Sequence, residues 1–183
     1  MRKRLMRTAF LAGAVVMATC LPGAAHATSG TAAGEAVTAD EKGHVLFCTG
    51  RAGDRSVTVD LYDNSLYGSF VSVIVEGPDG EYGGGSTPPL LFDNGSVSAE
   101  LPIEKHGADG GPAGRAVIQG TYAASGEPER VHDITREPSW VVVAHGTRQQ
   151  LSTSVSITVL GETTPLSCEP SFAYDLKVTR TPQ

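Results

Sequence analysis

Side chains that alternate between apolar and polar types constrain the fold of this chain more than any other feature. Residues 151–160 read LSTSVSITVL, where the odd-numbered positions are Leu, Thr, Val, Ile and Val and each residue between them is Ser or Thr. A period of two is that of an extended strand with one buried face and one solvated face. We therefore expect the odd-numbered residues to face a core and the intervening hydroxyl groups to face water.

The same alternation recurs from residue 44 to the end of the chain. The predicted strands are 44–50, 56–62, 69–77, 96–103, 115–122, 129–135, 139–146, 151–160 and 171–179. The segment 69–77 is nearly continuous in apolar residues, which is typical of a strand buried on both faces. The turns are predicted where Gly, Pro, Asn and Asp cluster, at 78–85, 93–95, 106–114 and 145–150.

Together these segments predict an all-β fold. No helix-period segment separates the strands, and parallel strands would need crossover connections of about a dozen residues or more. The prediction is therefore an antiparallel β-sandwich of about eight or nine strands, with a small closed barrel as the alternative.

The first 27 residues have the pattern of a secretory signal peptide. Four basic residues in MRKRLMR precede an apolar run and then the small-residue motif Ala25-His26-Ala27, so we predict cleavage after Ala27. Residues 28–43 are small and polar without periodicity, which predicts a flexible lead-in. Residues 44–183 are then a single domain. The alternative to a secreted, extracellular protein is one lipid-anchored through Cys20.

The charge balance of the exported part limits the classes of partner that it can bind. The segment 1–27 holds four of the 14 Lys and Arg residues and no acid, so 10 basic residues remain against 20 acidic ones. A net negative chain repels nucleic-acid phosphates, which argues against a nucleic-acid partner. No later segment approaches the roughly 20 consecutive apolar residues of a membrane span.

Two cysteines remain after the signal peptide, Cys48 and Cys168. An even pair in an exported protein predicts a disulfide bond. A two-cysteine metal site is the alternative, but no His or Cys lies at ligand spacing beside either residue.

No motif for catalysis or for a transition metal is present. The chain has no G-x-S-x-G nucleophile turn and no H-E-x-x-H metal motif, so we assign no catalytic residue and no metal ligand. The histidines after the signal peptide are far apart in sequence, and strand pairing could still bring two of them together. They are His44, His106, His132 and His145.

Acidic turns give weak calcium candidates, because calcium prefers oxygen ligands on tight loops. The segments 61–65, 78–81 and 92–95 each place acids or amides on such a turn, and the candidate ligands are Asp63, Asp79 and Asp93. None of the three segments matches the twelve-residue calcium loop, and turn geometry alone favours the same residue types.

Tyrosines near strand ends give the best binding candidate. Tyr62, Tyr67 and Tyr82 could line one rim and contact an extracellular protein or a glycan. The sequence therefore predicts a secreted, non-catalytic binding or structural protein of the extracellular space or cell envelope. One alternative is an extracellular hydrolase whose site forms only in three dimensions. Another is a protease inhibitor presenting loop 76–89 or 104–114.

Overall fold

The computed structural model describes residues 34–183, so the predicted signal peptide, its cleavage site and Cys20 lie outside the described residues. The described chain consists of strands joined by turns and short loops, and it contains no helix. The ten strands are β1 Val37–Ala52, β2 Arg55–Asn64, β3 Gly68–Gly77, β4 Gly80–Ser86, β5 Phe92–Asp93, β6 Ser96–Lys105, β7 Gly111–Ala124, β8 Glu129–Arg136, β9 Trp140–Val159 and β10 Glu162–Pro182.

All strand pairs are antiparallel, which confirms the predicted all-β antiparallel fold. The strand order is β10-β1-β2-β3-β4-β6-β7-β9-β8, and β9 also pairs with β10. The pairings from β10 through β9 therefore return to β10 and close the sheet on itself. The pairing in the ring is shortest between β4 and β6, where only Tyr82–Lys105 and Gly83–Glu104 are paired.

The core lies inside this ring and follows the predicted alternation. Every second residue of β2 and β3 is fully buried, from Val57 to Leu61 and from Val71 to Val75. On β9, Val155, Ile157 and Val159 are buried. The hydroxyl groups between them lie at or near the surface, as predicted.

The predicted disulfide is present and joins two neighbouring strands. Cys48 on β1 and Cys168 on β10 are bonded to each other and are cross-strand partners. Both cysteines are buried in the core.

A second region, here called the arm, extends from the ring. It consists of residues 37–43 of β1, 172–182 of β10, 140–150 of β9 and all of β8, paired in that order. Few arm side chains are buried, and Val178 and Val131 are the apolar ones. The arm therefore exposes most of its side chains to solvent, and these include the apolar Val37, Ile134 and Trp140 beside polar ones.

The flexible lead-in predicted for 28–43 is wrong for residues 37–43, which form the start of β1 and pair with residues 174–180 of β10. The sequence there lacks an apolar period because the arm has little core to face. Cross-strand polar contacts replace apolar packing, such as Lys42 Nζ to Asp175 Oδ2 at 2.7 Å. Residues 28–33 lie outside the described range.

The turn predicted at 145–150 is also wrong, because β9 runs without a break from Trp140 to Val159. Gly146 does not form a turn. It allows β10 to approach β9 closely. A Cβ added at Gly146 would lie 2.1 Å from the carbonyl oxygen of Asp175. The predicted turn at 78–85 is likewise mostly strand, since β4 begins at Gly80 and its glycines pair with β3.

Candidate ligand-binding face

The outer surface of β1 to β4 carries an unusual set of side chains, which we call the Phe47–Phe70 face. One row of cross-strand partners runs across it, from Phe47 to Asp60, Ser72 and Gly85. Directly paired residues of an antiparallel sheet project to the same side. The neighbouring row contributes Tyr62 and its partner Phe70.

Large apolar side chains are exposed on this face. Phe47 is 38% exposed, Phe70 44% and Ile74 40%. The prediction that 69–77 is buried on both faces is therefore wrong, because the even-numbered side chains of β3 point away from the core. Exposed apolar groups clustered beside polar ones are typical of ligand-binding surfaces.

A hydrogen-bonded polar pair lies within the same row as Phe47. Ser72 Oγ donates to Asp60 Oδ2 at a distance of 3.0 Å. This bond fixes the carboxylate beside the aromatic rings. The face therefore combines apolar rings with oriented hydrogen-bonding oxygens.

An open groove of about 480 Å³ borders the face. Its floor is the backbone of Gly83, Gly84 and Gly85, with Ser72 to Ile74 on one side and Pro102, Glu104 and His106 on the other. Its volume lies within the range of about 300–1,000 Å³ typical of small-molecule sites.

Gly84 on β4 is required because another strand approaches it closely. A Cβ added at Gly84 would lie 2.2 Å from the carbonyl oxygen of Pro102, so β6 could not pass there over any other residue. A Cβ at Gly85 would be 3.8 Å from the Phe70 ring, which borders the same floor. Glycine in a strand often marks such a close approach.

An imidazole–carboxylate pair lies at the rim of the groove. His106 Nδ1 and Glu81 Oε1 are 2.8 Å apart, and both side chains are about half exposed. The hydroxyl nearest in the groove lining, Ser72, is bonded to Asp60 instead. The rim therefore offers polar groups to a ligand without an activated nucleophile.

A second such pair lies where β1 and β2 meet. His44 Nδ1 is 3.0 Å from Asp63 Oδ1, and the His44 ring stacks on Phe92 at 4.8 Å between ring centroids. The next residue in this row is Ser69, the cross-strand partner of Asp63. A hydrolytic triad needs the histidine between the serine and the acid. Here the acid lies between them, and two strand spacings of about 4.8 Å separate His44 from Ser69.

The three predicted rim tyrosines do not share one rim. Tyr62 lies on the Phe47–Phe70 face, and Tyr67 is 63% exposed in the β2–β3 turn. Tyr82 is buried, and its hydroxyl donates to Asp79 Oδ2 at 2.8 Å. The sequence reasoning missed Phe47 and Phe70, because both lie in apolar runs where no alternation separates inward from outward residues.

The three predicted calcium ligands also lie in different surroundings. The guanidinium of Arg55 and the Tyr82 hydroxyl bond Asp79 and hold the pKa of its carboxyl well below the usual value. Asp63 contacts His44, and Asp93 accepts from Asn94. The negative charges of Asp63 and Asp93 also act on Tyr122. Burial is the main cause that raises the pKa of the Tyr122 hydroxyl, and these two carboxylates add smaller contributions. Within residues 34–183, no three His, Cys, Asp or Glu side chains are grouped to hold a metal ion.

Comparison with protein-family models, with curated proteins and with solved structures gave no significant match. The described residues include no candidate membrane-spanning helix.

Proposed function

We propose that this is an exported, non-catalytic carbohydrate-binding protein that holds its ligand on the Phe47–Phe70 face. The observation that carries the proposal is the row in which an exposed Phe47 lies beside the hydrogen-bonded Asp60–Ser72 pair, next to the exposed Phe70. The sequence pattern of residues 1–27 supports export, and the Cys48–Cys168 disulfide is consistent with it.

The chemistry of the face matches that of a sugar. A pyranose ring has an apolar face of C–H groups that stacks on an aromatic ring, and hydroxyl groups at its edge that bond to carboxylates and hydroxyls. Phe47 and Phe70 provide the stacking surfaces, and Asp60 and Ser72 provide the polar partners. Ligand sites generally combine apolar walls with a few placed polar groups in this way.

The shape and charge of the region favour a neutral polymer. The groove is open and its floor is glycine backbone, which the His106 ring approaches at Gly83 and the Phe70 ring at Gly85, so an extended chain would contact these rings as it crosses the floor. Glu104 lines the groove, and the carboxylates of Asp60 and Glu81 are bonded to the lining residues Ser72 and His106. They would repel an anionic glycan, since like charges brought close together cost free energy.

The test is retention on insoluble polysaccharide. The exported protein is mixed with cellulose, chitin or xylan, and the fraction left in the supernatant is measured as a binding isotherm. We expect retention on at least one polymer, and Phe47→Ala or Phe70→Ala should each weaken it by about tenfold, since an aromatic contact contributes about 0.5–1.5 kcal/mol beyond its buried area.

The matched control is Tyr67→Ala, which removes a more exposed ring outside the face and should bind like the unchanged protein. Equal melting temperatures would show that all variants fold. The proposal is wrong if no neutral polymer retains the protein, or if the two Phe variants bind as well as the control. Release of soluble sugar from the polymer would instead support the hydrolase alternative.

A further inference from the structure

Two histidines that are 13 positions apart in sequence meet on the arm. His132 on β8 and His145 on β9 are direct cross-strand partners. Cβ atoms of such partners are about 4.5–5.5 Å apart, and both side chains project to the same face. Both residues are exposed.

These two imidazoles differ from the other described histidines in their surroundings. The rings of His44 and His106 are each bonded to a carboxylate. In residues 34–183, no side chain forms a hydrogen bond or ion pair with His132 or His145. Their ring nitrogens are therefore free to bind a ligand from solution.

We propose that His132 and His145 together bind a divalent transition-metal ion. Neutral imidazole is a preferred ligand of Cu²⁺, Ni²⁺ and Zn²⁺. The protein supplies two ligands, and water completes the coordination shell. The ion is shared between β8, an edge strand among the described residues, and its neighbour β9.

The surrounding charges are mixed, and they include Arg130 and Arg136, which share the face of His132 on β8. His145 also pairs with Lys177 on β10, whose Nζ lies 4.0 Å from Asp40 Oδ1. One row further along the same face, the carboxylate of Asp175 contacts Lys42. Each lysine on this side is thus accompanied by a carboxylate.

The test is a calorimetric titration of the exported protein with Ni²⁺ at mildly alkaline pH. We expect one ion per chain. His132→Gln and His145→Gln should each weaken binding by about tenfold or more, since even the loss of an outer-shell partner costs about 10–100-fold in affinity. Saturating Ni²⁺ should also raise the melting temperature of the unchanged protein more than that of either variant.

The matched control is His106→Gln, which removes an exposed histidine from a different part of the sheet and should leave Ni²⁺ affinity unchanged. All three side chains are exposed, so the metal-free variants should melt as the unchanged protein does. The proposal is overturned if no Ni²⁺ binds at millimolar concentration, or if either arm variant binds as tightly as the unchanged protein.

Discussion

Tyr174 on β10 connects the arm to β2 through its hydroxyl group. Asn64 Nδ2 donates to the Tyr174 oxygen at 3.0 Å, and the Tyr174 hydroxyl lies 3.0 Å from the Asp63 carbonyl oxygen, to which it donates. Asn64 is buried and also donates to Glu41 on β1. A buried polar group without its partner costs free energy, so each member of this network depends on the others.

Replacement of Tyr174 by Phe should lower the free energy of unfolding by about 1–3 kcal/mol, because the Asp63 carbonyl and the Asn64 amide each lose a partner. Burial raises the pKa of the Tyr174 hydroxyl above its ordinary value of 10.0. From that pH upward the unfolded tyrosine ionises while the folded one stays protonated, so stability is lost as the pH rises.

Urea unfolding at neutral and at alkaline pH measures both effects. The alkaline loss of stability should be smaller in Tyr174→Phe than in the unchanged protein. Tyr67→Phe, in which the hydroxyl is exposed, is the control and should match the unchanged protein at both values. If Tyr174→Phe and Tyr67→Phe have the same free energy of unfolding at neutral pH, the Tyr174 hydrogen bonds contribute nothing to stability.

At the scale of the elements, the ring of strands depends on the crossing of β4 and β6. Only two residue pairs join these strands, and Gly84 lies directly under the backbone of Pro102. Backbone atoms cannot move aside as a flexible side chain can. The ring can therefore close at this point only over a residue without a Cβ.

Gly84→Ala should destabilise the protein by about 1–3 kcal/mol or more, the usual cost of overpacking. Gly85→Ala is the matched control, since its nearest atom would be 3.6 Å away, an ordinary van der Waals distance. Thermal unfolding of both variants measures the difference. Equal melting temperatures would mean that β6 does not pass so closely over Gly84.

The elements also show what the sequence can predict. Strands with clear alternation, such as 56–62 and 96–103, lie within the observed β2 and β6. The predicted turn at 145–150 is wrong because a glycine that permits close strand packing, such as Gly146, has the same sequence signal as a glycine in a turn. Phe47 and Phe70 come onto one face only through the register of β1, β2 and β3, which no local pattern contains. The pairing of His132 with His145 depends on register in the same way.

On the scale of the whole molecule, one covalent bond joins the first and last strands of the ring. Cys48 and Cys168 are separated by 120 residues, so the bond excludes a large share of unfolded conformations. The chain-entropy account gives about 4.7 kcal/mol for a loop of roughly 100 residues. A domain of this size loses about 2–4 °C in Tm per kcal/mol.

The double variant Cys48→Ala, Cys168→Ala should therefore melt roughly 10 °C lower than the unchanged protein, or lower still if the two buried sulfur atoms leave a cavity. Circular dichroism at increasing temperature measures this difference. A double variant that melts at the same temperature would show that the bond does not stabilise the fold.

The most direct test of the central claim is to locate the bound sugar. Amide chemical shifts are recorded by ¹H–¹⁵N NMR while a soluble oligosaccharide of the polymer that retains the protein is added. We predict the largest shifts in residues 47–49, 58–62, 70–74 and 83–85, which belong to the Phe47–Phe70 face and its groove. Largest shifts in the arm, or around Tyr67, would contradict the claim.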